Sequence, residues 1–259
     1  MHYLRAGSGK PPLVFVHGFA CSSDDWSFQI EHFRKTHEVV ACDLRGHGKT
    51  PGRPEECTIE NFGGDVAALV MNLDLSRSIL VGHSMGCRVV LEANRVAPER
   101  VAGLVLVDGS RTGTGDPAQA EAQARAAIDK AGYPAFAEHL FRQMFFQPSA
   151  LADAIVKRAV KGSAGFGPML WPAMARWDAG KMDAALAAVK APVLVIQSTT
   201  RSPELKRTAL KPGETSGYID MLRKGLKNPR VEIVPAGHFT MLEAPEAVNR
   251  LVGEFVRKL

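Results

Sequence analysis

Gly82-His83-Ser84-Met85-Gly86 follows directly on the apolar run Ser78-Ile79-Leu80-Val81, and a helical stretch from Cys87 to Ala97 comes straight after it. A serine between two glycines at a strand end can make a sharp strand-to-helix turn, because glycine lets strand and helix approach without Cβ clashes. The turn holds the hydroxyl out. The N-terminus of the following helix points N–H dipoles at any negative charge that forms there. The chemistry this predicts is nucleophilic attack by Ser84.

A serine hydroxyl at neutral pH is a weak nucleophile. It needs a base to take its proton, and the base needs an orienting group. His238, in Pro235-Ala236-Gly237-His238-Phe239, lies on a loop just after the last apolar run, Val231-Glu232-Ile233-Val234. It is the base expected here. An unperturbed histidine titrates near 6.5, so activity is expected to rise between about pH 6 and 8. His17 and His47 lie in turns, where structural hydrogen bonds are expected, and His83, beside the nucleophile, is expected to line the pocket. Negative charge developing on a carbonyl oxygen needs preorganised donors. The backbone N–H groups of Met85 and of Phe19, in His17-Gly18-Phe19-Ala20, are the candidates.

The elements that must position these groups are short and regular. Apolar runs at Leu13–Val16, Glu38–Cys42, Ile79–Val81, Val101–Val107, Pro192–Gln197 and Val231–Val234 are continuous rather than alternating, as strands buried on both faces of a parallel sheet must be. Helical patterns join them, with Phe62, Val66, Leu69 and Val70 on one face of Ile59–Leu73. This predicts an α/β, doubly wound, mostly parallel sheet, with His2–Arg5 as an edge strand. From Arg111 to about Val189 no strand is expected. Helices are expected at Ala118–Ala131, Phe136–Phe146, Ala150–Val160 and Pro168–Trp177. So long a helical stretch between two strands exceeds a plain crossover and reads as an insertion over the C-terminal edge of the sheet.

Composition sets bounds. The 259 residues suffice for one large domain, and 46% hydrophobic content is ordinary for a globular protein. No apolar run reaches 18 residues, so no membrane span is expected. Met1–Gly9 lacks the apolar core of a signal peptide, so the chain is expected to be cytoplasmic. Cys21, Cys42, Cys57 and Cys87 have no metal spacing and read as buried free thiols. The net charge is +5, spread along the chain, and its densest stretch, Lys206–Lys227, reads as a solvated face rather than a nucleic-acid site. Modest attraction of anionic substrates is compatible with it. Gly7-Ser8-Gly9-Lys10 fails as a phosphate loop because Pro11-Pro12 replaces the Ser/Thr and the helix start. No metal, cofactor, nucleic acid or membrane partner is expected. The expected partner is a small-molecule substrate, with a homodimer the assembly left open.

His17-Gly18-Phe19, Asp43-Leu44-Arg45-Gly46-His47-Gly48, Gly82-His83-Ser84-Met85-Gly86 and Gly237-His238-Phe239 together resemble the α/β-hydrolase superfamily. The resemblance implies the α/β-hydrolase fold, a core of residues 1–110 and 189–259, and a helical cap at 111–188 that sets substrate choice. It implies structural roles for Asp43 and His47. It also exposes a departure. Relatives usually carry the triad acid after the strand spelled here Val193-Leu194-Val195-Ile196, but this chain continues Ser198-Thr199-Thr200-Arg201, with arginine where aspartate would stand. Some relatives take the acid one strand earlier, where this chain has Asp108, giving the order Ser, Asp, His. Asp108 is favoured, Glu204 is its rival, and a Ser–His dyad is a third reading. The activity implied is hydrolysis of a carboxylic ester of a small, mostly apolar molecule, with His83, Phe146, Trp171 and Phe239 in the substrate pocket. Hydrolysis of a carbon–carbon bond in a ring-cleavage product, or of a lactone, uses the same residues. A slow-turnover ligand receptor is the alternative of a different class. Serine at the nucleophile argues against haloalkane dehalogenase or epoxide hydrolase chemistry, which uses aspartate there.

Overall fold

Branched apolar residues in runs of four to seven become strands with no exposed face. In the computed structural model, which describes residues 1–202 and 205–259, the strands are β1 (Tyr3–Ala6), β2 (Leu13–Val16), β3 (Val39–Cys42), β4 (Ser78–His83), β5 (Val101–Val107), β6 (Val193–Gln197), β7 (Thr199–Arg201), β8 (Arg207–Ala209) and β9 (Arg230–Ile233). Every residue of β2, β3, β4 and β6 is buried. One sheet runs β1-β3-β2-β4-β5-β6-β9, parallel throughout except for β1, which pairs antiparallel with β3 at the edge. The doubly wound sheet is therefore as expected, and β7–β8 is an additional antiparallel hairpin.

The helices are α1 (Ser27–Phe33), α2 (Ile59–Asn72), α3 (Met85–Val96), α4 (Pro117–Ala131), α5 (Tyr133–Arg142), α6 (Ala150–Gly162), α7 (Gly167–Gly180), α8 (Met182–Ala187), α9 (Gly217–Gly225), α10 (Thr240–Glu243) and α11 (Pro245–Val256). Side-chain caps start several of them: Thr58 accepts from Asn61 N–H, Asp116 from Gln119 N–H and Ser149 from Ala152 N–H. Helices α4 to α8 fill the segment between β5 and β6. Helix α5 ends at Arg142, four residues before the expected end, so Phe145 and Phe146 fall beyond it.

Register carries the site. His83 lies opposite Val107, Val107 opposite Ile196, and Gln197 opposite Ile233. Ser84, Asp108, Ser198 and the loop after β9 therefore leave the sheet at one edge. The order reverses at β2, between β3 and β4, which is where ligands enter such sheets.

The helical segment is fastened to the core by one buried ion pair. Arg88 on α3 donates to both Asp178 oxygens on α7, each at 2.7 Å, and to the Ser110 carbonyl at 2.6 Å. Both side chains are buried. Removing one partner of a buried pair strands the other charge, at a cost of about 3–5 kcal/mol. Asp178→Ala should lose about that much stability in urea unfolding, and Arg88→Met with Asp178→Leu should recover part of it. A loss under about 1 kcal/mol for Asp178→Ala would show that the pair is not the fastening.

Candidate active site

Ser84 sits at the head of α3 with φ +54°, ψ −111°, a left-handed conformation that costs a non-glycine residue of order 1–3 kcal/mol. The surroundings enforce it. Ser84 N–H donates to the Val107 carbonyl at 2.9 Å, and Gly86 lets α3 pass so close to β2 that a Cβ there would lie 2.4 Å from the Val16 carbonyl oxygen.

His238 reaches Ser84 from the loop after β9. Its Nε2 lies 2.9 Å from Ser84 Oγ and its Nδ1 lies 2.6 Å from Asp108 Oδ2. A carboxylate can only accept, so Nδ1 carries the proton and Nε2 is free to receive the serine proton. The loop is held on three sides. His238 N–H donates to the Met144 carbonyl at 2.8 Å, His83 Nε2 donates to the His238 carbonyl at 2.9 Å, and Glu243 accepts from the Gly237 and Phe239 N–H groups. Gly237 is required, since a Cβ would meet both the Glu243 carboxylate and the Met144 carbonyl at under 3 Å.

Asp108, also at positive φ, is fully buried directly after β5. Its Oδ1 accepts from Ser198 N–H at 2.7 Å and Thr199 N–H at 2.8 Å. Its Oδ2 accepts from Thr199 Oγ1 at 2.6 Å besides the histidine. Burial pushes this carboxyl up; the Arg207 guanidinium, the Thr199 hydroxyl and the two N–H groups pull it back. Asp108 thus stands on His238, and Glu204, its rival in the sequence, lies outside the described residues.

The other expected residues sort by geometry. Met85 follows Ser84, and Gly18, before Phe19, lies so close that a Cβ there would be 3.2 Å from Ser84 Cβ; neither the Phe19 nor the Met85 N–H donates to another group among the described residues. His17 fixes the Phe19 loop: it receives Leu44 N–H at Nε2, 3.0 Å, and donates from Nδ1 to the Gly18 carbonyl, 2.8 Å. Asp43 binds Ser23 N–H and Lys49 N–H, and buried His47 bonds the Arg45 carbonyl, which are structural tasks. Trp171 and Phe239 join an aromatic wall. Phe19 meets Trp171 at 5.7 Å and Phe141 at 6.3 Å between ring centroids, and Phe145 stacks on Phe239 at 5.1 Å. Two expected pocket residues are placed differently. His83 is 1% exposed and is occupied with supporting the His238 loop; burial lowers it to about 3, so it is neutral. Phe146 is 39% exposed because α5 has already ended, and Phe145 takes the inward place.

Arg207 was not expected at all. It lies in the stretch read as a solvated face, yet its side chain is 3% exposed. Its Nη1 lies 2.7 Å from Thr199 Oγ1 and 3.5 Å from Asp108 Oδ2, and its Nη2 lies 3.4 Å from His238 Nε2. The only sequence signal was Arg207-Thr208-Ala209 set against Thr199-Thr200-Arg201, a polar pair of strands with no hydrophobic period. Cys21, Cys42, Cys57 and Cys87 are buried and free. Among the described residues no cluster of His, Cys, Asp or Glu could hold a metal, and no helix is long and apolar enough to cross a membrane.

Burial, then Arg207, Arg201 and Arg88, hold His238 well below the usual histidine range. A base is competent above its pKa, so a lowered pKa moves the rising limb of activity to lower pH than residue type alone gives. The limb of kcat/KM should lie below the ordinary value of about 6.5 and the rate should be flat from pH 7 to 8. Arg207→Gln should move the limb upward. A wild-type limb at or above 6.5 would contradict this electrostatic account.

A family model described as the alpha/beta hydrolase family matches residues 13–251. The chain is 28% identical to the dihydrolipoyllysine-residue acetyltransferase component of an acetoin cleaving system from Pseudomonas putida, over 97% of this chain; it spans 65% of that relative's length. Among solved structures, a thermophilic esterase from Thermogutta terrifontis superposes with a TM-score of 0.77 at 24% identity, covering 99% of this chain and 93% of the other. The enol-lactonase from Burkholderia xenovorans superposes with a TM-score of 0.78 at 22% identity, covering 99% and 96%. At such identities these two likenesses concern the fold.

Proposed function

Since this chain belongs to the alpha/beta hydrolase family, we propose that it is a serine hydrolase that cleaves a carboxylic ester of a small molecule through an acyl-enzyme. The observation that carries this reading is the unbroken chain from Ser84 Oγ to His238 at 2.9 Å and from His238 to Asp108 at 2.6 Å. Ser84 Oγ attacks the acyl carbon while its proton passes to His238 Nε2. Asp108 stabilises the imidazolium, and the Phe19 and Met85 N–H groups receive the oxyanion. His238 then gives the proton to the departing alkoxide. Water, deprotonated by His238, attacks the acyl-enzyme, and the acid leaves with Ser84 reprotonated. A lactone is a cyclic ester and meets the same groups.

The helical segment at 111–188 acts as the cap on this reading, with Trp171, Phe141 and Phe145 forming the apolar wall around the acyl group. Support comes from the aromatic contacts, which join this segment to Phe19 and Phe239 on the core.

A fluorophosphonate probe should label Ser84, and Ser84→Ala should abolish hydrolysis of a short-chain chromogenic ester; near-full activity in that variant would end the esterase reading. Asp108→Asn should keep the fold and cut kcat by about 10²–10⁴, the range for a neutralised triad acid. Trp171→Ala should change the ratio of kcat/KM between small and bulky esters. If it lowers both alike, Trp171 is a core support.

A further inference from the structure

The β7–β8 hairpin places Arg201 directly opposite Arg207. Directly opposed residues of an antiparallel pair stand on one face with Cβ atoms about 4.5–5.5 Å apart, and like charges there repel. Arg207 is buried against the triad, and Arg201 is half-buried, with its guanidinium carbon 5.7 Å from the centre of the Trp171 ring.

Among the described residues the local charges do not balance. Arg88 is matched by Asp178 at 2.7 Å. Of the described carboxylates, Arg207 has a long contact, 3.5 Å, to Asp108, which is already bonded to His238, Thr199 and Ser198. Its Nε is buried with no partner among the described residues. Arg201 bonds the Arg111 carbonyl at 3.0 Å and the Thr112 hydroxyl at 2.8 Å, both from Nη2, and no described carboxylate lies within ion-pair reach of it. Buried cations need a counter-charge. Arg201 also borders a cleft of about 350 Å³ beside Gly109 and Thr199. Burial lowers Arg201 to about 9 and Arg207 to about 10, which leaves both charged at neutral pH.

We propose that Arg201 and Arg207 form a carboxylate clamp, and that the substrate is a hemiester of a short dicarboxylic acid, or a small lactone that carries a free carboxylate. The proposal rests on the esterase reading and names its substrate class. The reacting carbonyl lies at Ser84, the apolar stretch of the acyl group lies along Phe19 and Trp171, and the second carboxylate meets the guanidinium pair. The acyl group must be short, because Arg207 Nη2 is only 3.4 Å from the nitrogen that takes the serine proton.

The test compares monoethyl succinate with diethyl succinate, which differ by one negative charge at the far end of the same acyl group. Wild-type protein should prefer the hemiester by tenfold or more in kcat/KM. Arg201→Gln should bring the ratio near one, through both kcat and KM, and Arg201→Lys should keep part of the preference. Succinate should protect Ser84 from a fluorophosphonate in the wild type and protect it far less in Arg201→Gln. A ratio near one in the wild type, or an unchanged ratio in Arg201→Gln, would overturn the clamp. Equal loss in the Gln and Lys variants would assign Arg201 a structural role and overturn it too. Failure of the esterase reading looks different: neither ester is turned over and Ser84 is not labelled.

Discussion

The Asp108 carboxylate accepts hydrogen bonds from both strands of the β7–β8 hairpin region and from a loop some thirty residues further on. Ser198 and Thr199 begin the chain after β6, His238 comes from the loop after β9, and Arg207 comes from β8. A fully buried carboxylate is tolerable only when its lone pairs are met, and here they are. The same bonds that satisfy it fix the His238 tautomer and the position of the β7–β8 hairpin. Take the charge away, and the imidazole loses its orientation while Arg207 loses the only anion near it among the described residues. The parallel ladder makes this possible, because Val107 pairs with Ile196 and Asp108 N–H donates to the Ile196 carbonyl at 2.8 Å. The acid is placed by the register of β5 on β6, before any side chain acts.

That placement explains the departure in the sequence. Ser198 and Thr199 are not spare positions left by a missing aspartate. Their backbone N–H groups and the Thr199 hydroxyl are what hold the carboxylate arriving from one strand earlier. Arg201 ends β7, paired with Arg207 and with its guanidinium against the Trp171 ring.

The sheet was legible because each strand is a short apolar run buried on both faces, and periodicity sees burial. Ser84 and His238 were legible because glycine-flanked turns at strand ends leave a local mark. Asp108 could be read from chain order and position after β5. What was not legible depended on where helices stop and on non-local charge. Phe146 was placed on a helix that ends at Arg142, and the difference of a few residues exchanged it with Phe145. His83 looked like a pocket residue because it adjoins Ser84, but successive side chains at a strand end point to opposite sides, and its ring went to the His238 carbonyl. Arg207 sits among lysines and glycines whose composition is that of a surface. Only a hairpin too short and polar to show a period carries it inward.

The arginines pose a problem that the fold alone does not resolve. On the proposed mechanism His238 must become imidazolium on attack, yet Arg207, Arg201 and Arg88 each disfavour that charge. Arg88 is largely offset by Asp178, but among the described residues Arg207 has only the long contact to Asp108 and Arg201 has no carboxylate in ion-pair reach. A site meant for neutral esters would gain from losing them. With a carboxylate on the pair, their field at His238 is mostly cancelled, and the imidazolium formed in the transition state costs less than it does with a neutral substrate bound. The distant charge of such a substrate would then lower the barrier at the reacting carbonyl as well as hold the molecule in place. Binding energy used in this way favours the transition state over the ground state, which is the condition for selectivity in kcat as well as in KM. On that argument the two cations penalise neutral esters and favour anionic ones through the same histidine.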